Sequence, residues 1–168
     1  MNKVLGDGTV LQGCRADLLN IGDLWARGWS LIPLKYRDKR PALASWTEFQ
    51  QRPATYAELE QWFDRPEPLN VGIVTGTVSG IFVIDLDSPD AVIWARGNLP
   101  PCDMRVRTAK GLHLYYPYSG DVPVRNKARV VYNGKPLELD VRADGGYVVA
   151  PGSVHPSGAV YEREGSGW

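Results

Sequence analysis

The second half of this chain alternates in period two. Met104 to Thr108, Leu112 to Tyr116, Arg129 to Tyr132, Leu137 to Val141 and Tyr147 to Val149 are short alternating runs separated by turn residues. Successive side chains of an extended strand face opposite ways, so this pattern predicts a sheet. The first half reads differently. Leu18, Ile21, Leu24 and Trp25 recur at helical spacing within Ala16 to Gly28, and Gly28 suits the position just past a helix end. Thr55 with Glu58 three residues on forms a capping box, predicting a helix from Tyr56 to near Pro66. Ser88 and Pro89 open a third helix that ends by Gly97. Trp29 to Leu34, Val71 to Thr75 and Ile81 to Leu86 are extended, with Gly76 to Gly80 as a hairpin turn between the last two. Helices followed by a strand-rich run give a mixed α+β domain whose sheet keeps one face open for a ligand.

At 168 residues the chain is expected to form a single domain, 1–168, with flexible ends at 1–15 and at 163–168; its close in Gly165-Ser166-Gly167-Trp168 reads as a linker within a longer parent. Lys plus Arg equals Asp plus Glu, so a grip on a polyanion has to come from locally arranged cations rather than an overall positive field. Cys14 and Cys102 are far apart and lack C-x-x-C spacing, which argues against a disulfide scaffold or a zinc ribbon and for a reducing, cytoplasmic setting. The short, interrupted apolar stretches predict no membrane partner.

Strand parity then sorts the polar residues. Asp85 and Asp87 share a face opposite Ile84 and Leu86; Glu138, Asp140 and Arg142 share one opposite Leu139 and Val141; His113 and Tyr115 share one opposite Leu112 and Leu114. Neighbouring carboxylates repel, and a cation relieves them. Oxygen donors without thiolates favour Mg²⁺ or Mn²⁺, whose shell a triphosphate completes, and two such ions roughly 3.5–4 Å apart suit an in-line displacement at phosphorus. Each residue alone admits a plainer reading: Asp-x-Asp is common at strand ends, Asp140 could be a solvated strand charge, His113 a hydrogen-bonded histidine, Lys110 a solvated turn residue. The turn Thr108-Ala109-Lys110-Gly111 could also cradle phosphate with its backbone amides. The basic loop Lys35 to Arg40 is either solubilising surface or a strip that steers template or nucleotide. Trp25, Trp62 and Trp94 sit in helical patterns and belong to the core rather than to base platforms. Tyr115 and Tyr116 are the candidates for a side chain against the sugar 2′ position.

The ordered string Gly28-Trp29-Ser30-Leu31-Ile32-Pro33-Leu34, Lys39-Arg40-Pro41, Asn70-Val71-Gly72, Thr75-Gly76, Ser79-Gly80 and Asp85-Leu86-Asp87 resembles the bifunctional primase/polymerase family. Thr108 to Tyr116, Leu139-Asp140-Val141-Arg142 and Gly145 to Ser153 continue the likeness. That family belongs to the archaeo-eukaryotic primase superfamily, and the resemblance implies its catalytic core: an N-terminal α/β unit packed with an RRM-like antiparallel sheet that carries the active site on its open face. It implies Asp85, Asp87 and Asp140 as ligands of two Mg²⁺ or Mn²⁺ ions and His113 as a contact to nucleotide phosphates. Lys39, Lys110, Gly111, Arg142 and Ser153 follow as nucleotide or template contacts. Single Gly111 stands where many members carry paired glycines, and Gly152 where a second proline is frequent. The implied activity is primer synthesis or extension on single-stranded DNA with NTPs or dNTPs, often beside a fused or associated helicase. Two alternatives are a metal-dependent nuclease or relaxase-like replication initiator, and a noncatalytic module for nucleotides or single strands. His113 is flanked by Leu112 and Leu114, so no local histidine pair supports the relaxase.

Overall fold

A computed structural model describes residues 3–4, 10–11 and 16–168. In chain order the elements are β1 (Lys3–Val4), β2 (Val10–Leu11), α1 (Ala16–Trp25), β3 (Leu31–Lys35), a 3₁₀ turn (Thr47–Gln50), α2 (Tyr56–Phe63), β4 (Leu69–Val74), β5 (Ile81–Leu86), α3 (Pro89–Asn98), β6 (Arg105–Arg107), β7 (Leu112–Pro117), β8 (Val131–Tyr132), β9 (Lys135–Pro136), β10 (Leu139–Arg142), β11 (Tyr147–Val149) and β12 (Glu162–Glu164). The α+β expectation stands. β1 and β2 pair with each other; the rest of the expected flexible start, with Cys14, lies outside the described residues.

Local chemistry fixes the helix starts. Thr55 Oγ1 accepts the Glu58 N–H and the Glu58 carboxylate accepts the Thr55 N–H, the reciprocal box expected for α2 and worth about 1 kcal/mol. Ser88 Oγ accepts the Ala91 N–H and Pro89 occupies the first turn of α3, where its missing N–H costs nothing.

The strands divide into two main antiparallel sheets, one ordered β10-β5-β7-β6-β12 and one β11-β4-β3. The expected β4–β5 hairpin is therefore corrected. Gly76 and Ile81 exchange backbone hydrogen bonds across the turn, but the two strands then part into different sheets. β4 is buried along almost its whole length, with Val71, Ile73 and Val74 all in the core, so it must be covered on both sides and cannot share a half-exposed sheet with β5.

The five-stranded sheet is covered on both faces, which corrects the expectation of one open face. Ile84, Leu86, Leu114 and Leu139 pack with Ala91 and Ala95 of α3. On the other face Val83, Val106 and Tyr115 join Ile32, Ile73 and Val148 of the smaller sheet in the main core. Asp85 and Asp87 emerge where that second contact stops, so the acids lie in a cleft between the sheets.

The expected flexible segment 163–168 is also corrected. β12 pairs with β6, Arg107 forms an ion pair with Glu162, and Trp168 Nε1 donates to the carbonyls of Arg105 and Glu164 at 2.9 and 3.0 Å. The Trp168 ring packs edge-on against Trp29 and Tyr115. A glycine-rich composition conceals this because the anchoring partners are distant in sequence.

Candidate active site

The register of three neighbouring strands builds the centre. Asp140 on β10 is the Cα partner of Asp85 on β5, and Asp85 is the partner of His113 on β7. Directly opposed residues of antiparallel strands project to the same side, so the three form one row. Asp87 lies two residues along the same face, just beyond the end of β5, and its N–H donates to the Glu138 carbonyl at 2.8 Å.

The row is not uniform in charge. His113 Nε2 lies 3.3 Å from Asp85 Oδ1, and its Nδ1 is buried without a partner among the described residues. Burial pushes the Asp85 carboxyl up, but His113, Lys39 and Arg142 outweigh it and hold Asp85 below its ordinary value. Asp87 moves the other way, raised by burial and by the charges of Asp85 and Asp140 against the pull of Lys39 and Lys110. Its carboxylate makes neither a hydrogen bond nor a salt bridge among the described residues.

Asp140 is occupied. Its Oδ1 accepts the Arg129 N–H at 2.8 Å and its Oδ2 the Arg142 guanidinium at 2.6 Å. Among the described residues no three His, Cys, Asp or Glu side chains group closely enough to hold an ion as they stand. Asp140 and Asp85 are thus in register, Asp87 lies beside them beyond the end of β5, and Asp140 is held by Arg142 and the Arg129 amide.

The cleft has two lobes that share Lys39, Asp85, Asp87, His113 and Tyr161. The larger encloses about 400 Å³ and is bounded by Trp46, Asn126, Arg142 and Tyr147; the smaller is bounded by Thr108, Lys110 and His155. This pattern, an Asp-x-Asp at a strand end with the third acid and the histidine on the flanking strands, accompanies a match of residues 22–166 to the N-terminal domain of bifunctional DNA primase/polymerase. The chain belongs to that family. No curated protein matches it. Membership in the primase/polymerase family implies nucleotidyl transfer of that type, with DNA and nucleotides as substrates. No helix among the described residues is long and apolar enough to cross a membrane.

Several of the expected contacts fall elsewhere in this family member. Ser153 is buried, and its hydroxyl bonds the N–H and carbonyl of Val71, so it ties a loop to β4 and does not face the cleft. The amides of Lys110 and Gly111 both donate to Thr108 Oγ1, at 3.3 and 3.0 Å, so the turn does not hold them ready for phosphate. Gly111 instead allows close packing, since a Cβ there would lie 2.0 Å from the Leu86 carbonyl oxygen. At Gly152 φ is +88°, which a proline ring locked near −65° cannot adopt. Tyr115 is buried in the core and Tyr116 donates to the Pro100 carbonyl on the α3 side, so neither reaches a sugar in the cleft. Of the basic loop, Lys39 alone lines the cleft, while Arg40 pairs with Asp38 and Arg37 donates to the Pro156 carbonyl. Trp25 donates to the Ala54 carbonyl and Trp62 packs edge-on to Phe49, both against the core as expected.

Sequence reasoning misses Trp46, Asn126, Tyr147, His155 and Tyr161. His155 accepts the Ser157 N–H at Nδ1 and lies, like His113, against the Tyr161 ring. The one available signal is that the chain has only two histidines, and the second stands two residues after Ser153. Both line the smaller lobe.

Proposed function

We propose that this chain joins nucleotides on a single-stranded DNA template, starting or extending a primer with NTPs or dNTPs. The observation that carries the reading is the in-register row Asp140, Asp85 and His113, with unpaired Asp87 beside it and Lys39 and Lys110 facing the same cleft. An all-oxygen donor set with an uncompensated, raised carboxyl suits a hard divalent cation. Asp85, Asp87 and Asp140 would hold two Mg²⁺ or Mn²⁺ ions, which when bound supply Lewis acidity to phosphate oxygens and to the attacking 3′-hydroxyl.

The chain's own residues do the rest. Lys39 and Lys110 attract the phosphates to the cleft, whose smaller lobe, at about 10 Å³, has no room for them as it stands, and His113, oriented through Asp85, presents its ring beside them. Exchange of its carboxylate partner for a phosphate oxygen by Arg142 would free Asp140 Oδ2, while Oδ1 keeps the Arg129 N–H. The larger lobe, with Trp46 and Tyr147 in edge-on contact at 5.1 Å, takes the nucleoside. A helicase, fused or associated, would supply the unwound strand.

Incubation with a single-stranded template, labelled nucleotides and Mg²⁺ or Mn²⁺ tests this. Extended products are expected, and Asp85→Ala with Asp87→Ala removes them. Template degradation without synthesis would favour the nuclease, and binding without either reaction the noncatalytic module. That His113 and His155 line one lobe is the single observation toward the relaxase-like reading, but a nucleophile is wanting there: Tyr161 is 2% exposed, and burial with the charges of Asp85 and Asp87 raises its phenol, the reverse of an activated nucleophile.

A further inference from the structure

Residues 122–137 carry Arg125, Lys127, Arg129 and Lys135 without a single acid, in a chain whose net charge is zero. All four are exposed, and among the described residues none forms a salt bridge. Four unpaired cations in a stretch that holds no acid are available to an anion from outside.

The segment is an arm with a fixed root. Lys127 and Val141 exchange backbone hydrogen bonds at 3.0 and 2.8 Å, the Val130 N–H donates to the Leu139 carbonyl, and the Arg129 N–H reaches the Asp140 carboxylate. Beyond the root, β8 and β9 form a hairpin through Asn133-Gly134, a favoured two-residue turn. That hairpin exposes Val131 (57%) and Tyr132 (44%), the latter braced edge-on by Trp94 at 5.2 Å. Asn126, at the start of the arm, lines the larger lobe of the cleft.

We infer that this arm, residues 125–135, binds single-stranded nucleic acid and leads it toward the cleft. Phosphates meet the four cations, and an unpaired base stacks on Tyr132, which a duplex, with its bases already stacked, does not permit. The purpose rests on the polymerase reading, but the binding does not, and the two fail separately.

The test is fluorescence anisotropy of a labelled 20-nucleotide oligo-dT against the full chain across a series of NaCl concentrations. Combined Arg125→Ala, Lys127→Ala and Lys135→Ala is expected to lower affinity at least tenfold at low salt and to make the log–log salt slope shallower by about 2. Tyr132→Ala should cost roughly fivefold or more with the slope unchanged. The charge-conserving Arg125→Lys, Lys127→Arg, Lys135→Arg variant should bind like the wild type, and dATP binding by calorimetry should be the same in every variant. Unchanged affinity and slope in the alanine triple would overturn the inference. So would equal binding of duplex with no effect of Tyr132→Ala, or arm-dependent binding to phosphatidylserine vesicles without binding to oligo-dT. Arm-dependent oligo-dT binding by a wild type that makes no product would sink the polymerase reading and leave the arm standing.

Discussion

Two clusters in this molecule mix basic and acidic side chains, and they end in opposite electrostatic states. At the start of α2, Arg52 pairs with Glu48 at 2.7 Å and with both oxygens of Glu58 at 2.8 and 2.7 Å, while its guanidinium lies over Phe49. Every charge there has a partner, and Arg52 with the Thr55 amide holds the Glu58 carboxyl down to about 2. In the cleft, Lys39, Lys110, Asp85 and Asp87 line one lobe without closing into salt bridges, and among the described residues Asp87 stays without a partner and is raised above its ordinary value. The first cluster is assembled from residues 48–58, so local geometry matches each donor to an acceptor. The second draws on β5 and the residue after its end, the loop after β3 and the turn between β6 and β7, and its mismatch is what a cation and a triphosphate would resolve.

The largest effect expected from breaking this contrast is at the acids. Asp85→Ala with Asp87→Ala should abolish template-dependent synthesis, while the circular dichroism melting temperature stays within a few degrees of the wild type; a collapse of the fold would return the acids to a structural role. Lys39→Ala should weaken dATP binding by about tenfold in calorimetry, because its charge faces the cleft, whereas Arg52→Ala should leave it unchanged. The capping box responds in the opposite sense. Thr55→Ala should remove about 1 kcal/mol and lower the melting temperature by roughly 2–4 °C without touching activity.

The smallest effect concerns pH. Because folding depresses Glu58 from 4.5 to about 2, its stabilisation is complete above pH 4.5 and is lost as pH falls toward 2. A melting series from pH 5 to 2 should show that decline, and Glu58→Gln should flatten it. An identical decline in Glu58→Gln would place the acid sensitivity elsewhere.

Parity in the sequence is enough to give each strand its polar face, Asp85 with Asp87, Asp140 with Arg142 and His113 with Tyr115, because strand alternation is local; the register then aligns Asp140, Asp85 and His113 in one row. The caps of α2 and α3 are legible for the same reason. What escapes is decided by contacts between distant segments. The separation of β4 from β5 depends on β11 and β10 claiming them into different sheets. His155 and Trp46 reach the cleft from loops without periodicity. The family resemblance implies Arg142 as a nucleotide contact, and only the side-chain geometry shows it clasping Asp140.

Gly111 sits against the carbonyl of Leu86, the residue between the two aspartates, and is itself the neighbour of Lys110. The approach of the turn that bears Lys110 to the strand end that bears Asp85 and Asp87 is thereby set like a mechanical stop, main chain against main chain. Side-chain rotamers can swing on either side of that stop, but one methyl group inserted at position 111 would shift the turn bodily. The gauge of the cleft resides in a hydrogen atom.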